Sequence, residues 1–85
     1  MCTVEKIVAC QISYLPLRTD QIGEKVGKIL SVIQNSGLES SIGVFATEIK
    51  GSKKQVFSLI QDIFGIAETE GQFVLDFKLS NICGC

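Results

Sequence analysis

Val8-Ala9-Cys10-Gln11-Ile12-Ser13-Tyr14-Leu15 is the stretch on which the fold turns. Successive strand side chains point to opposite sides of a sheet. Val8, Cys10, Ile12 and Tyr14 therefore share one apolar face. Gln11 and Ser13 stand on the other, among Ile7, Ala9 and Leu15. A second stretch, Gln72-Phe73-Val74-Leu75-Asp76-Phe77-Lys78-Leu79-Ser80, alternates more cleanly. Its Phe73, Leu75, Phe77 and Leu79 face one way, and Asp76, Lys78 and Ser80 the other. Each strand offers one apolar and one mixed face. A mixed face on a small sheet needs a reason: solvent, a partner or a ligand.

Working outward, the first strand is predicted over 4–15, and Pro16 ends it because proline cannot donate to a ladder. Thr19 or Asp20 can cap a helix over 20–35. Ile22, Val26, Ile29, Leu30 and Ile33 recur along it at helical spacing. Glu24 and Lys28, four apart, suit a weak exposed pair. Gly23 and Gly27 each weaken this helix by roughly 1 kcal/mol relative to alanine and leave room for close backbone approach. Gly37 suits a stop. Strands are predicted over 38–44 and 45–50, with Gly43 as a bulge or the turn itself. Ser52-Lys53-Lys54-Gln55 fits a capping box. The helix it opens has a stripe of Val56, Leu59, Ile60, Ile63 and Phe64; Gly65 weakens its end, and Gly71 precedes the last strand.

Strand-helix-strand-strand-helix-strand order predicts an α+β fold. Two right-handed crossovers build a four-stranded antiparallel sheet with both helices on one face. The first and last strands then lie side by side. Pairing Tyr14 with Phe73 sets Ile12 against Leu75, Cys10 against Phe77 and Val8 against Leu79. That register places Gln11 beside Asp76 on the open face.

The chain has 85 residues, which suits a single domain over 1–85. A body this small has a thin core, so some of its 46% apolar residues are expected between subunits. The net charge of −1 and scattered lysines argue against nucleic acid. No apolar run approaches the ~20 residues of a membrane span, and no signal-peptide pattern opens the chain. The expected location is cytoplasmic. Histidine is absent, which removes the commonest general base and metal ligand. No nucleophile has a histidine to activate it and no glycine-rich phosphate loop follows a strand. An enzyme is not expected, nor a cofactor.

The cysteines are Cys2, Cys10, Cys83 and Cys85. The register places Cys2 near Cys85, with Cys83 close by, where a disulfide is geometrically conceivable; the cytosol disfavours one. Zinc would need converging thiolates, yet Cys10 points into the apolar row and no CxxC occurs. Cys10 reads as an ordinary buried residue, and neither a metal site nor a redox role for Cys83-Gly84-Cys85 is expected.

Three motifs resemble one family. Gln11-Ile12-Ser13-Tyr14-Leu15-Pro16-Leu17 resembles the F-S-x-x-P-[LM] opening of the YkoF-like thiamin and hydroxymethylpyrimidine-binding domains. Thr47-Glu48-Ile49-Lys50-Gly51, followed by Val56-Phe57, resembles their T-x-L-x-G and next helix. Ser80-Asn81-Ile82-Cys83-Gly84 resembles their S-x-x-C-P ending, with Gly84 in place of the proline. The resemblance implies a ferredoxin-like domain that binds thiamin or its pyrimidine half, without catalysis, in vitamin salvage or transport. The namesake holds two domains in tandem, so this chain is expected to form a homodimer or homotetramer.

An aminopyrimidine presents a ring acceptor and an exocyclic amine donor on one edge. Gln11 and Ser13 can each donate and accept. Asp76 can accept from the amine or balance the thiazolium charge. Tyr14 and Phe45 offer rings for stacking or cation–π contact. Thr47 and Ser80 are hydroxyls that match the family motifs. Plainer roles stand beside these. Gln11, Asp76 and Lys78 also fit a solvated face; Tyr14 and Thr47 fit the core; Ser80 and Asn81 fit a turn. Gln11 and Asp76 favour a site on the open face, Thr47 one under the helices. Two other functions stay open: a regulatory domain binding another small molecule, such as an amino acid, and an assembly module binding only protein.

Overall fold

The computed structural model describes residues 7–43 and 46–81. Its elements run β1 (Ile7–Pro16), α1 (Ile22–Asn35), β2 (Glu39–Ile42), β3 (Thr47–Ser52), α2 (Lys53–Glu70) and β4 (Phe73–Ser80). The sheet order is β2-β3-β1-β4, and all neighbours are antiparallel. This is the ferredoxin-like α+β architecture expected from the element order. β1 sits inside the sheet and β4 forms one edge.

Alternation places the core as the sequence implies. Val8, Cys10 and Ile12 of β1 and Ile49 of β3 are buried against the helices. Ile29 and Ile33 come down from α1; Val56, Leu59, Ile60, Ile63 and Ala67 come from α2. The α2 stripe differs from expectation at its end. Phe64 is exposed, whereas Ala67 is fully buried. The helix runs past Gly65 to Glu70, so its last turn packs on the core and Phe64 rotates to the flank. In α1, Ile22 is exposed because it begins the helix.

The β1–β4 register departs from the expected one. Tyr14 pairs with Leu75, Ile12 with Phe77, Cys10 with Leu79 and Pro16 with Phe73. Every pair has moved by two residues. Gln11 therefore lies opposite Lys78, and Asp76 opposite Ser13. A shift of two keeps every side chain on its face, so burial alone does not distinguish the registers. The connection does: the Leu17 N–H donates to the Gln72 carbonyl at 2.9 Å and ties the strand ends together.

Local chemistry sets the boundaries. Ser52 is the N-cap of α2: its hydroxyl accepts the Gln55 N–H at 3.2 Å, and Gln55 Oε1 accepts the Ser52 N–H at 3.1 Å. β3 thus runs directly into α2, two residues beyond its expected end. The α1 cap is Gln21, not Thr19 or Asp20, and its side chain makes no capping bond. Thr19 Oγ1 instead accepts the Gln21 N–H at 3.0 Å. Gly43 belongs to the β2–β3 turn, where its N–H meets the Ala46 carbonyl at 2.9 Å. A Cβ on Gly43 would sit 2.9 Å from that same carbonyl oxygen, so the turn requires glycine.

α1 and α2 are joined at one end by charge. Lys25 Nζ donates to the Glu70 carbonyl, and Lys28 Nζ lies 2.9 Å from the Glu70 carboxylate. Lys28 thus pairs across the helices and not with Glu24. The last turn of α2 has no basic residue of its own, so α1 supplies the cations that a helix C-terminus favours.

Candidate functional site

A cavity of about 250 Å³ opens between α1 and the sheet, beside the β2–β3 turn. Ile12 and Tyr14 rise into it from β1, Thr47 from β3, and Val26, Ile29, Leu30 and Ile33 descend from α1. Ile42, Gly43 and Ala46 close the turn side. The location follows from the sheet geometry. β2 is short, with Glu39, Ser40, Ser41 and Ile42 all exposed. α1 covers the β1 side, and the described residues leave the space near the turn unfilled.

The lining is apolar apart from a few hydrogen-bonding groups. Thr47 is 6% exposed, and the half-buried Tyr14 brings a phenol. Among the described residues, neither hydroxyl has a protein hydrogen-bond partner. Burial, and then the Glu70 carboxylate, push the Tyr14 phenol above its ordinary value. Tyr14 is therefore the neutral phenol at physiological pH and can both donate and accept. Its ring centroid lies 6.0 Å from that of Phe73, and Phe64 meets Phe73 edge-on at 5.0 Å. Ser13 also borders the cavity. Alternation turns its side chain to the opposite face, so it offers main chain. No Asp, Glu, Lys or Arg lines the cavity among the described residues.

The expected site residues thus separate into two groups. Tyr14, Thr47 and the Ser13 backbone meet at the cavity. Gln11 and Asp76 are exposed on the far side of the sheet and stand diagonally, not directly opposite each other. Gln11 stands between Glu48 of β3 and Lys78 of β4. Ser80, at the end of β4, pairs with Ala9, also away from the cavity. Phe45, Cys2, Cys83 and Cys85 lie outside the described residues. Cys10 is buried, with its thiol pushed up to about 11 by that burial. Among the described residues, no group of three or more Cys, Asp or Glu converges as a metal site would require. No helix among them is long and apolar enough to cross a membrane.

Val26, Leu30, Ile42, Gly43 and Ala46 border the cavity without having been singled out as site residues. Their sequence signal is that of a core stripe and a turn. Only the incomplete fit of α1 over the sheet turns them into walls.

Fold and cavity together define a ferredoxin-like domain with a pocket between helix and sheet whose described walls carry no charge. The chain belongs to the YkoF-related family, whose model matches residues 7–84. No curated protein matches it. Among solved structures, it is similar to a candidate thiamine biosynthesis or salvage protein from Thermotoga maritima. The two are 18% identical, with TM-score 0.81, covering 87% of this chain and 82% of that one. A domain of unknown function from Bacillus cereus is also 18% identical, with TM-score 0.79, over 88% and 75% of the two chains. A hypothetical protein from Methanocaldococcus jannaschii is 15% identical, with TM-score 0.81, over 94% and 84%. At such identities the likeness establishes the fold.

Proposed function

We propose that the chain is a non-catalytic, cytoplasmic binder of the hydroxymethylpyrimidine moiety of thiamin, acting in salvage or transport as a homo-oligomer. What carries this reading is the character of the cavity. Its volume of about 250 Å³ falls below the ~300–1,000 Å³ typical of larger ligands and suits a single heterocycle. Burying an unpaired charge is costly, and no opposite charge lines the walls among the described residues. A neutral aminopyrimidine satisfies both conditions. The Thr47 and Tyr14 hydroxyls answer its donor and acceptor edge, and the aliphatic walls cover its faces. The thiazolium and phosphates of the complete vitamin would project outside.

The same argument disfavours an amino acid, whose ammonium and carboxylate would enter without partners. Among the described residues no base lies beside the Thr47 hydroxyl, which disfavours catalysis. Family membership and a fold shared with a candidate thiamine salvage protein add support.

Isothermal titration with hydroxymethylpyrimidine, thiamin and thiamin phosphate tests the proposal. The free pyrimidine is expected to bind, and Thr47→Val to weaken it about tenfold, a change of ~1.4 kcal/mol. Gln11→Ala is expected to leave the affinity unchanged, because Gln11 lies on the far face. No binding by any of the three compounds would falsify the reading. Loss of affinity in Gln11→Ala with none in Thr47→Val would move the site to the open face.

A further inference from the structure

The flank between α2 and β4 holds a space separate from the cavity under α1. An open groove of about 710 Å³ lies there, bordered by Leu17, Phe64, Phe73, Leu75 and Phe77, and by Glu68. A volume of ~300–1,000 Å³ is typical of small-molecule sites. No described residue borders both spaces. The groove exists because α2 lies mainly over β1 and β3 and leaves the edge strand β4 partly uncovered. Phe77, on the helix side of β4, is therefore 42% exposed, and Phe64, on the flank of α2, is 48% exposed.

Two features give the groove a chemical preference. The first is its rings. Phe64 and Phe73 stand at 73° to one another, which makes a corner where a guest touches a ring face. Ring faces carry the negative end of the aromatic quadrupole and attract cations. The second is Glu68, four residues after Phe64 and hence its neighbour on the same side of α2. Its carboxylate is the one charged group among the described residues that border the groove. Lys25 approaches Gly71 at one end, but its Nζ donates to the Glu70 carbonyl. An anion would meet both the ring faces and the carboxylate unfavourably. A neutral apolar guest would leave Glu68 unused. A cation with an apolar body suits both.

We infer that this groove binds a small organic cation, an ammonium that carries an aryl or alkyl group. The apolar group covers Leu17, Leu75 and Phe77, and the ammonium lies against the Phe64 ring within reach of Glu68. The site is distinct from the pyrimidine cavity and does not depend on that reading.

Two probes with the same ring and opposite charge test it. Benzyltrimethylammonium and benzenesulfonate are titrated into ¹⁵N-labelled protein and followed by NMR, with circular dichroism to confirm the fold of each variant. The cation is expected to give saturable shifts at the amides of Glu68–Leu75, and the sulfonate none. Glu68→Gln and Phe64→Leu are each expected to weaken the cation about fivefold. Thr47→Val is expected to leave it unchanged, and Glu68→Gln to leave hydroxymethylpyrimidine binding unchanged, so either reading can fail without the other. No saturable shift, an equal response to benzenesulfonate, or an affinity indifferent to either groove variant would overturn the inference. Shifts of the same amides on raising the protein concentration, with no cation present, would assign the groove to a second copy of the chain and overturn it too.

Discussion

At the scale of single residues, Cys10 links burial to pH. Its side chain sits in the central row of the sheet between Val8 and Ile12, 2% exposed. Burial disfavours the thiolate and raises the thiol from 9.0 to about 11. In the unfolded chain the thiol ionises at its ordinary value. The stabilising difference is therefore complete below pH 9 and is lost as pH rises toward 11, because only the unfolded state releases the proton. Each unit of difference corresponds to ~1.4 kcal/mol. Urea titrations at pH 8 and pH 10.5 are expected to show a loss of stability in wild type that is smaller in Cys10→Val. An equal loss in both proteins would place the alkaline sensitivity elsewhere, with Tyr14 the next group to examine, since its phenol is also raised. The same burial makes Cys10 a poor nucleophile.

At the scale of elements, α2 is the anchor of the fold and its start is specified locally. The Ser52–Gln55 capping box satisfies two backbone donors that would otherwise lack helical partners. Ser52→Ala is expected to cost about 1 kcal/mol by urea denaturation, while Ser52→Asp retains most of the stability. Equal losses in the two variants would show that the hydroxyl caps nothing of consequence. This boundary was legible in the sequence because a cap depends on four adjacent residues. Strand faces were legible for a related reason: the period of two in Val8–Tyr14 and Phe73–Leu79 leaves one arrangement in which both apolar rows meet the helices. The β1–β4 register was not legible, since the same periodicity is indifferent to a shift of two residues. The β2–β3 turn lacked an Asn-Gly or Asp-Gly signal, and Gly43 alone fitted either a bulge or a turn. Phe64 and Ala67 exchanged roles because a helical stripe does not reveal which sheet strands the helix overlies.

At the scale of the whole molecule, the two helices are unequally bound to the sheet. α2 contributes Val56, Leu59, Ile60, Ile63 and Ala67 to the core, whereas α1 contributes Ile29 and Ile33. The cavity under α1 explains the difference: Val26 and Leu30 are half-buried and face space that no side chain of the described residues fills. A site of this kind cannot be found in a hydrophobic pattern, because the apolar stripe of α1 is the same whether it seals against the sheet or stands off from it. Thr47 is the exception, a polar residue at a core position of β3. Local opening is easiest where buried contacts are fewest, so α1 should open before α2. Its ties to Glu70 through Lys25 and Lys28 hold one end; the end that carries Ile33 borders the cavity and has no such tie among the described residues. Hydrogen exchange by mass spectrometry is expected to show faster exchange in α1 than in α2 for the free protein. Saturating hydroxymethylpyrimidine is expected to slow exchange in α1 and around Gly43–Thr47 while leaving the centre of α2 unchanged. Protection confined to the open-face residues of β1 and β4 would mean that the ligand binds on the far side of the sheet and that the cavity is only a packing defect. Uniform protection would instead report stabilisation of the whole fold, and α1 would then be as firmly seated as α2.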